Sequence, residues 1–268
     1  MKKSIVLLIC IAFLCGCNGK KKEHQAAMQR YEQASQLAQA GQLNAAKIEL
    51  DSVHILYPKQ VDVRRLAKHL EDSIGLVEAE RNLQYADSLL AIVLPEVDKQ
   101  VKSFKYEKKD QYEDHGRYVH RLLTTGRNDS RCFLQCYVTD DFHTILKSYY
   151  FGSSSLEQTG IELSANDNTI GVDGENHSFQ AEGWHEILTV SEEDAMRLLE
   201  FVDMNRSERV KVTLHGKRNY AYYLQDVEKT ALVETRQLAI SMQDAHRLEQ
   251  MRTVSEKQIE RYQNKKAQ

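Results

Sequence analysis

The side-chain period changes once along this chain, near Phe104, and that change limits the fold more than any other feature. Up to that point apolar residues recur every three or four positions, the spacing of helices that bury one face. Tyr31, Ala34 and Leu37 mark one stripe, and Leu43, Ala46, Leu50 and Val53 mark the next, with Gly41 between them. Two helices joined at a glycine turn are therefore expected over residues 23–58, closed by Tyr57-Pro58. A long helical segment follows over 60–103. Its stripe runs through Leu66, Leu70, Ser73 and Val77, shifts phase, and resumes at Leu83, Ala86, Leu90, Val93 and Val97. The second half is close to a heptad repeat, and Pro95 is expected to kink the helix or begin a new one.

Beyond residue 116 the helical period disappears. Short β-branched and aromatic runs at 118–124, 131–139, 142–151, 160–164 and 184–190 read as strands, with turn signals between them that include Asp140-Asp141, 166–168 and 173–176. Their close spacing predicts an antiparallel meander or barrel-like sheet. Ser191 reads as the N-cap of a helix over 191–204, because Glu192, Glu193 and Asp194 favour its positive end. Strands at 209–214 and 219–224 follow as a hairpin, and Asp226 is expected to cap a long last helix with a polar tail. The predicted class is α+β. It comprises an N-terminal helical hairpin and stalk (23–103), an antiparallel β-sheet domain with flanking helices (104–225), and a long C-terminal helix (226–268).

The first residues carry a different message. Met1-Lys2-Lys3, an apolar run over 5–14 and small residues before Cys17 read as a secretory signal, too short to span a bilayer. Leu14-Cys15-Gly16-Cys17 resembles the lipobox of bacterial lipoproteins. That resemblance implies a signal peptide over 1–16, lipid on Cys17, and a tether over 17–22. Lys20, Lys21 and Lys22 read as a solvated tether, or as a basic patch gaining about 1 kcal/mol per lysine near anionic headgroups. In related envelopes an acidic segment after the cysteine directs export to the outer face, so this basic one predicts an outer-membrane anchor facing the periplasm.

Two further resemblances fix the layout. Gly41, Ala46 and Pro58 fall in the register of a single tetratricopeptide repeat, although Arg30 stands where the large aromatic residue of the first helix belongs. One such unit cannot bury its own face, so a neighbouring surface must cover it. The order of Phe104-Lys105-Tyr106-Glu107, Tyr112 and Gly116-Arg117-Tyr118-Val119-His120, with the run over 210–224, resembles uncharacterised envelope lipoproteins of the Bacteroidota. It implies location and modular layout and carries no activity.

A net charge of −3 gives no field that points to nucleic acid, and a mean hydropathy of −0.56 argues against an integral membrane protein. No phosphate loop, dinucleotide fingerprint, nucleophile elbow or zinc-protease helix occurs, and no cofactor is expected. Cys132 and Cys136 lie four apart on one predicted strand, about 13 Å from each other, which keeps them unpaired. Among ten histidines, His177 and His185 with Asp173 and Glu175 form the best metal-ligand candidate, and His115 and His120 are expected on opposite faces. Glu113, Asp114, Asp140, Asp141 and Glu186 are the carboxylates available to a hydrolase. Tyr149, Trp184 and Tyr222 are candidate rings for stacking on a sugar or peptide. Ser52 and Ser88, each after aspartate and before an apolar residue, resemble an O-glycosylation sequon of exported Bacteroidota proteins, as does Ser73.

These readings converge on a non-enzymatic envelope interaction or assembly accessory with a protein partner. A glycan-binding lipoprotein is the alternative and a hydrolase the third reading. The anchor is testable by metabolic labelling with a fatty acid: Cys17→Ala should abolish label and membrane retention, and unchanged label would overturn the lipobox reading.

Overall fold

The computed structural model describes residues 2–108, 114–128 and 130–266. It is α+β, with two antiparallel sheets and long helices at both ends of the chain. The chain divides into two compact units, one of Met1–Asp87 with Gln250–Gln268 and the other of Ser88–Glu249.

The first unit is helical. Helix α1 spans Lys2–Gln39 and α2 Leu43–Leu56. Gly41 takes the left-handed conformation (φ 78°) that a side chain would resist, while its N–H bonds to the Ala38 carbonyl and that of Gln42 to Leu37. This paired closure ends α1 and turns the chain. Helix α3, Val61–Gln100, supplies the covering face that a lone hairpin lacks, with Val63, Ala67 and Ile74 buried against Ala34, Ala46, Leu50 and Val53. The alanines let the helix backbones approach closely. Arg30 ion-pairs with Glu49 across the hairpin (2.6 Å), and Lys47 ties α2 to Glu78 on α3 (2.7 Å).

The second half of the predicted α3 stripe holds, with Ala86 and Leu90 buried, but its first half is displaced. Leu66 is 40% and Val77 38% exposed, and Ser73 is exposed, because the packed face runs through Val63, Ala67 and Ile74 instead. The helix runs through Pro95 without ending, so the Ala91 carbonyl lacks its usual helical donor. The last helix, α6 (Asp226–Lys266), is also firmer at its end than its polar composition suggests. Tyr262 packs where a β-carbon on Gly75 would sit, and Lys265 pairs with Asp72 at 3.0 Å. At its start Asp226 is the first helical residue rather than the cap. Glu228 reaches back to accept from the Gln225 N–H (2.8 Å), as a capping-box glutamate does.

The second unit holds both sheets. The larger is ordered β1 (Phe104–Glu107), β2 (Arg117–His120), β3 (Phe133–Thr139), β4 (Thr144–Gly152), β8 (Trp184–Thr189), β7 (Glu175–Gln180). The smaller is β10 (Tyr220–Tyr223), β9 (Lys211–His215), β5 (Gly160–Ala165), β6 (Asn168–Asp173). Two sheets thus replace the single meander. Strands β6 and β7 occupy residues partly read as turns, and residues 121–124 leave the sheet before a short helix α4 (Thr125–Asn128). Leu134, Cys136, Leu146 and Leu188 of the large sheet share one core with Ile161, Leu163, Val212 and Leu214 of the small one. Helix α5 (Glu192–Met204) closes that core with Ala195, Leu198, Leu199 and Val202, and Ser191 caps it by accepting from the Asp194 N–H. Cys132 and Cys136 are free and buried, and burial pushes both thiols above the ordinary range.

Leu50 is wholly buried among α1, α2 and α3. Leu50→Ala should lower the unfolding free energy by about 2–5 kcal/mol in urea titration, the cost of an emptied leucine site.

Candidate functional site

Alternation along β4 creates an aromatic surface in the β-rich unit. Leu146, Ser148 and Tyr150 turn into the core, so Lys147, Tyr149 and Phe151 turn outward. Strand register then sets rings side by side. Tyr149 lies opposite Phe133 on β3 and Ile187 on β8, and the next rung aligns Phe151, His185 and Phe179 on β7. Phe133 and Tyr149 stack with centroids 4.7 Å apart. His185 lies 4.9 Å from Phe151 and stacks on Phe179 at 4.8 Å. Phe179 is 44% exposed, which leaves one ring of this array open to solvent.

The segment between β2 and β3 forms the wall. Gln135 on β3 donates to the Leu123 carbonyl (2.7 Å) and accepts from the Tyr149 hydroxyl (3.1 Å), pinning that segment over the sheet. Asn128 donates to the Thr124 carbonyl and accepts from Arg131 Nε (2.7 Å). Arg131 also pairs with buried Glu228 (2.8 Å) while its guanidinium lies over the Phe133 ring. The result is a groove of about 250 Å³ between the aromatic rungs and the Thr125–Asn128 turn. Its lining is mostly apolar, with one guanidinium at the rim.

Of the predicted aromatic residues, Tyr149 lines this groove. Trp184 starts β8 opposite Gly152 and is not among the lining residues. Tyr222 is a correction: it faces the core, its hydroxyl is buried with no partner among the described residues, and burial drives its pKa well up. Tyr220 and Tyr223 are the more exposed rings of that strand. Phe133 and Phe179 were not singled out in the sequence, and His185 was read there as a metal ligand instead of a stacking ring, because only the strand register brings these rings together.

The metal candidate is also corrected. Register sets Ile187 opposite His177 and Phe179 opposite His185, so the two histidines are diagonal neighbours, about 7–8 Å apart by strand geometry. His185 is flanked by two phenylalanine rings, and among the described residues these histidines form no ligand set with Asp173 and Glu175. His115 precedes β2, and His120 ends it, buried against Glu234 (3.1 Å). Ser52, Ser73 and Ser88 all lie within helices, and the hydroxyls of Ser52 and Ser73 donate to the carbonyls four residues back. The side chain of Cys17, and Glu113 altogether, lie outside the described residues.

Glu186 shows why a buried carboxylate is not a catalytic one by default. It points between the sheets with no exposed surface and accepts from the N–H groups of Leu156, Glu157 and Gln158, from the Ser155 hydroxyl and from Asn176. Burial alone would raise its pKa. Those donors outweigh it and hold the carboxyl below the ordinary glutamate value of 4.5. Its work is to tie the 153–158 loop to β8. Asp140 and Asp141 lie in the β3–β4 turn, apart from the buried Glu186 among the described residues.

Comparison with protein-family models, with curated proteins and with solved structures returns no match.

Glu186→Gln should destabilise the fold by about 2–4 kcal/mol, because an amide turned toward a ring of donors leaves them poorly satisfied. The sign with pH follows from the lowered folded pKa. The Glu186 contribution is complete above 4.5 and fades as pH falls toward the folded value, so urea stability of the native chain should drop on acidification more than that of the variant.

Proposed function

We propose that this chain is a non-enzymatic interaction protein of the cell envelope, anchored by lipid on Cys17 and facing the periplasm, which captures a protein partner at the aromatic groove. The observation that carries the binding reading is the double rung of Phe133, Tyr149 and Ile187 beside Phe151, His185 and Phe179. An apolar groove with few polar groups suits a branched or aromatic side chain better than a charged substrate. Strand β7 forms the sheet edge next to it, with all six residues exposed. An extended segment pairing with that edge sends alternate side chains to the groove side. The envelope location rests on residues 1–17, and the non-enzymatic reading on the dispersal of the carboxylates. Glycan binding is the second reading, favoured by the open face of Phe179, since exposed rings stack on sugars as well as on peptides.

The two readings separate by parallel selection on a displayed peptide library and a glycan array. The expected outcome is enrichment of peptides with a bulky apolar residue, whose affinity falls about tenfold or more with Phe179→Ala, a truncation on the scale of an interface anchor. Glycans retained by the native chain and lost with Phe179→Ala would transfer the assignment to glycan binding. Binding indifferent to the substitution in both assays would overturn the groove as the site.

A further inference from the structure

The turn between β3 and β4 is held unusually firmly for an exposed hairpin. Phe142 adopts a left-handed backbone (φ 72°), which a bulky residue avoids unless its surroundings impose it. Those surroundings are present: its ring stacks on His246 at 4.2 Å, and its carbonyl accepts from Gln243 (3.0 Å). Thr139 closes the turn, its hydroxyl accepting from the His143 N–H (3.0 Å). The residues so presented are Asp140, Asp141 and His143, and His115 comes alongside from the segment before β2.

The geometry points to a divalent transition-metal site here, in which Nε2 of His115, Nε2 of His143 and a carboxylate oxygen of Asp141 bind a cation of the zinc type. Both imidazoles turn Nε2 toward the same Asp141 oxygen, at 3.5 Å from His115 and 3.9 Å from His143. Tetrahedral zinc with bonds near 2.0–2.1 Å places its donor atoms about 3.3–3.4 Å apart, close to both separations from Asp141, and the site requires the exposed His115 and His143 rings to rotate until their two nitrogens reach the same spacing from each other. The other nitrogen of each ring is already committed. His115 Nδ1 meets Asp140 Oδ1 at 3.1 Å, and His143 Nδ1 meets Glu192 Oε2 at 2.8 Å. A carboxylate behind each imidazole fixes the tautomer that leaves the Nε2 lone pair free, and is the usual outer support of a metal-bound histidine.

Those supports are themselves fixed. Asp140 Oδ2 accepts from the Gly116 N–H and the Tyr106 hydroxyl, both at 2.9 Å, so Asp140 orients His115 instead of serving as a ligand. Glu192 Oε1 accepts from the Thr144 N–H at 2.9 Å. Two imidazoles with one carboxylate match a borderline cation such as Zn2+. Calcium and magnesium prefer all-oxygen sets. With three protein donors, a fourth position is left for water or a partner's side chain.

The test is calorimetric titration of the full chain in detergent with zinc chloride, and with calcium chloride in parallel. One equivalent of Zn2+ should bind. His115→Ala, His143→Ala and Asp141→Asn should each weaken it by more than tenfold, and Glu192→Gln by about tenfold, the scale of an outer-shell loss. Thermal melts check that each variant is folded, and the visible spectrum of bound Co2+ should report a tetrahedral site that either histidine substitution removes. Absence of saturable Zn2+ uptake, uptake that survives in either histidine variant, or preference for Ca2+ would overturn the site.

Discussion

Everything described for the β-rich unit depends on the register of β4. Its side chains alternate between a core of Leu146, Ser148 and Tyr150 and an outer face of Lys147, Tyr149 and Phe151. A slip of one residue against β3 or β8 would send Tyr149 inward and Leu146 to the surface, undoing core and groove together. The register is enforced from both sides. Gln158 bonds to the inward Ser148 hydroxyl (2.8 Å), while Gln135 holds the outward Tyr149. Polar groups thereby specify the pairing, and apolar burial supplies most of its stability.

The two polar centres of this unit make opposite use of their carboxylates. Glu186 is sealed between the sheets and spends its whole acceptor capacity on neighbouring donors, which leaves it rigid and chemically silent. At the β3–β4 turn the carboxylates remain half open and are shared with imidazoles. The hydrogen bonds to His115 and His143 are ordering contacts that leave a ring nitrogen on each still directed at Asp141. Burial and donor count, rather than residue type, separate a structural acid from one available to a ligand.

What the sequence made legible was local. The α+β class, the turn at Gly41, the cap at Ser191 and the β9–β10 hairpin all follow from residues adjacent in the chain. The unpartnered face of the first hairpin pointed to a covering surface, which α3 supplies. Strands β6 and β7 were harder, since an edge strand such as Glu175–Gln180 is exposed along its whole length and, with Phe179 its one apolar residue, loses the alternation that marks a half-buried one. Only the first half of the α3 stripe was misplaced, where Ala67 and Ile74 pack and Leu66 and Ser73 do not. The groove was legible as a stacking surface only in Tyr149, with His185 read instead as a metal ligand. Its other rings, and the meeting of His115 with the 140–143 turn, depend on pairings between distant strands that no local pattern encodes.

The helical unit is discontinuous, completed by Gln250–Gln268 after the whole β-rich unit has intervened. Lys265 reaches Asp72 across 193 residues of chain, and Tyr262 seats on Gly75 over a similar distance. Chain emerging from its N-terminus therefore presents the hairpin and much of α3 long before their last partner exists. The β-rich unit lies within one uninterrupted stretch and needs nothing from the chain's last residues to close its own contacts. The order of assembly is thus written into the topology: the central segment condenses as a local event, and the ends of the chain meet last, across the largest loop the molecule contains.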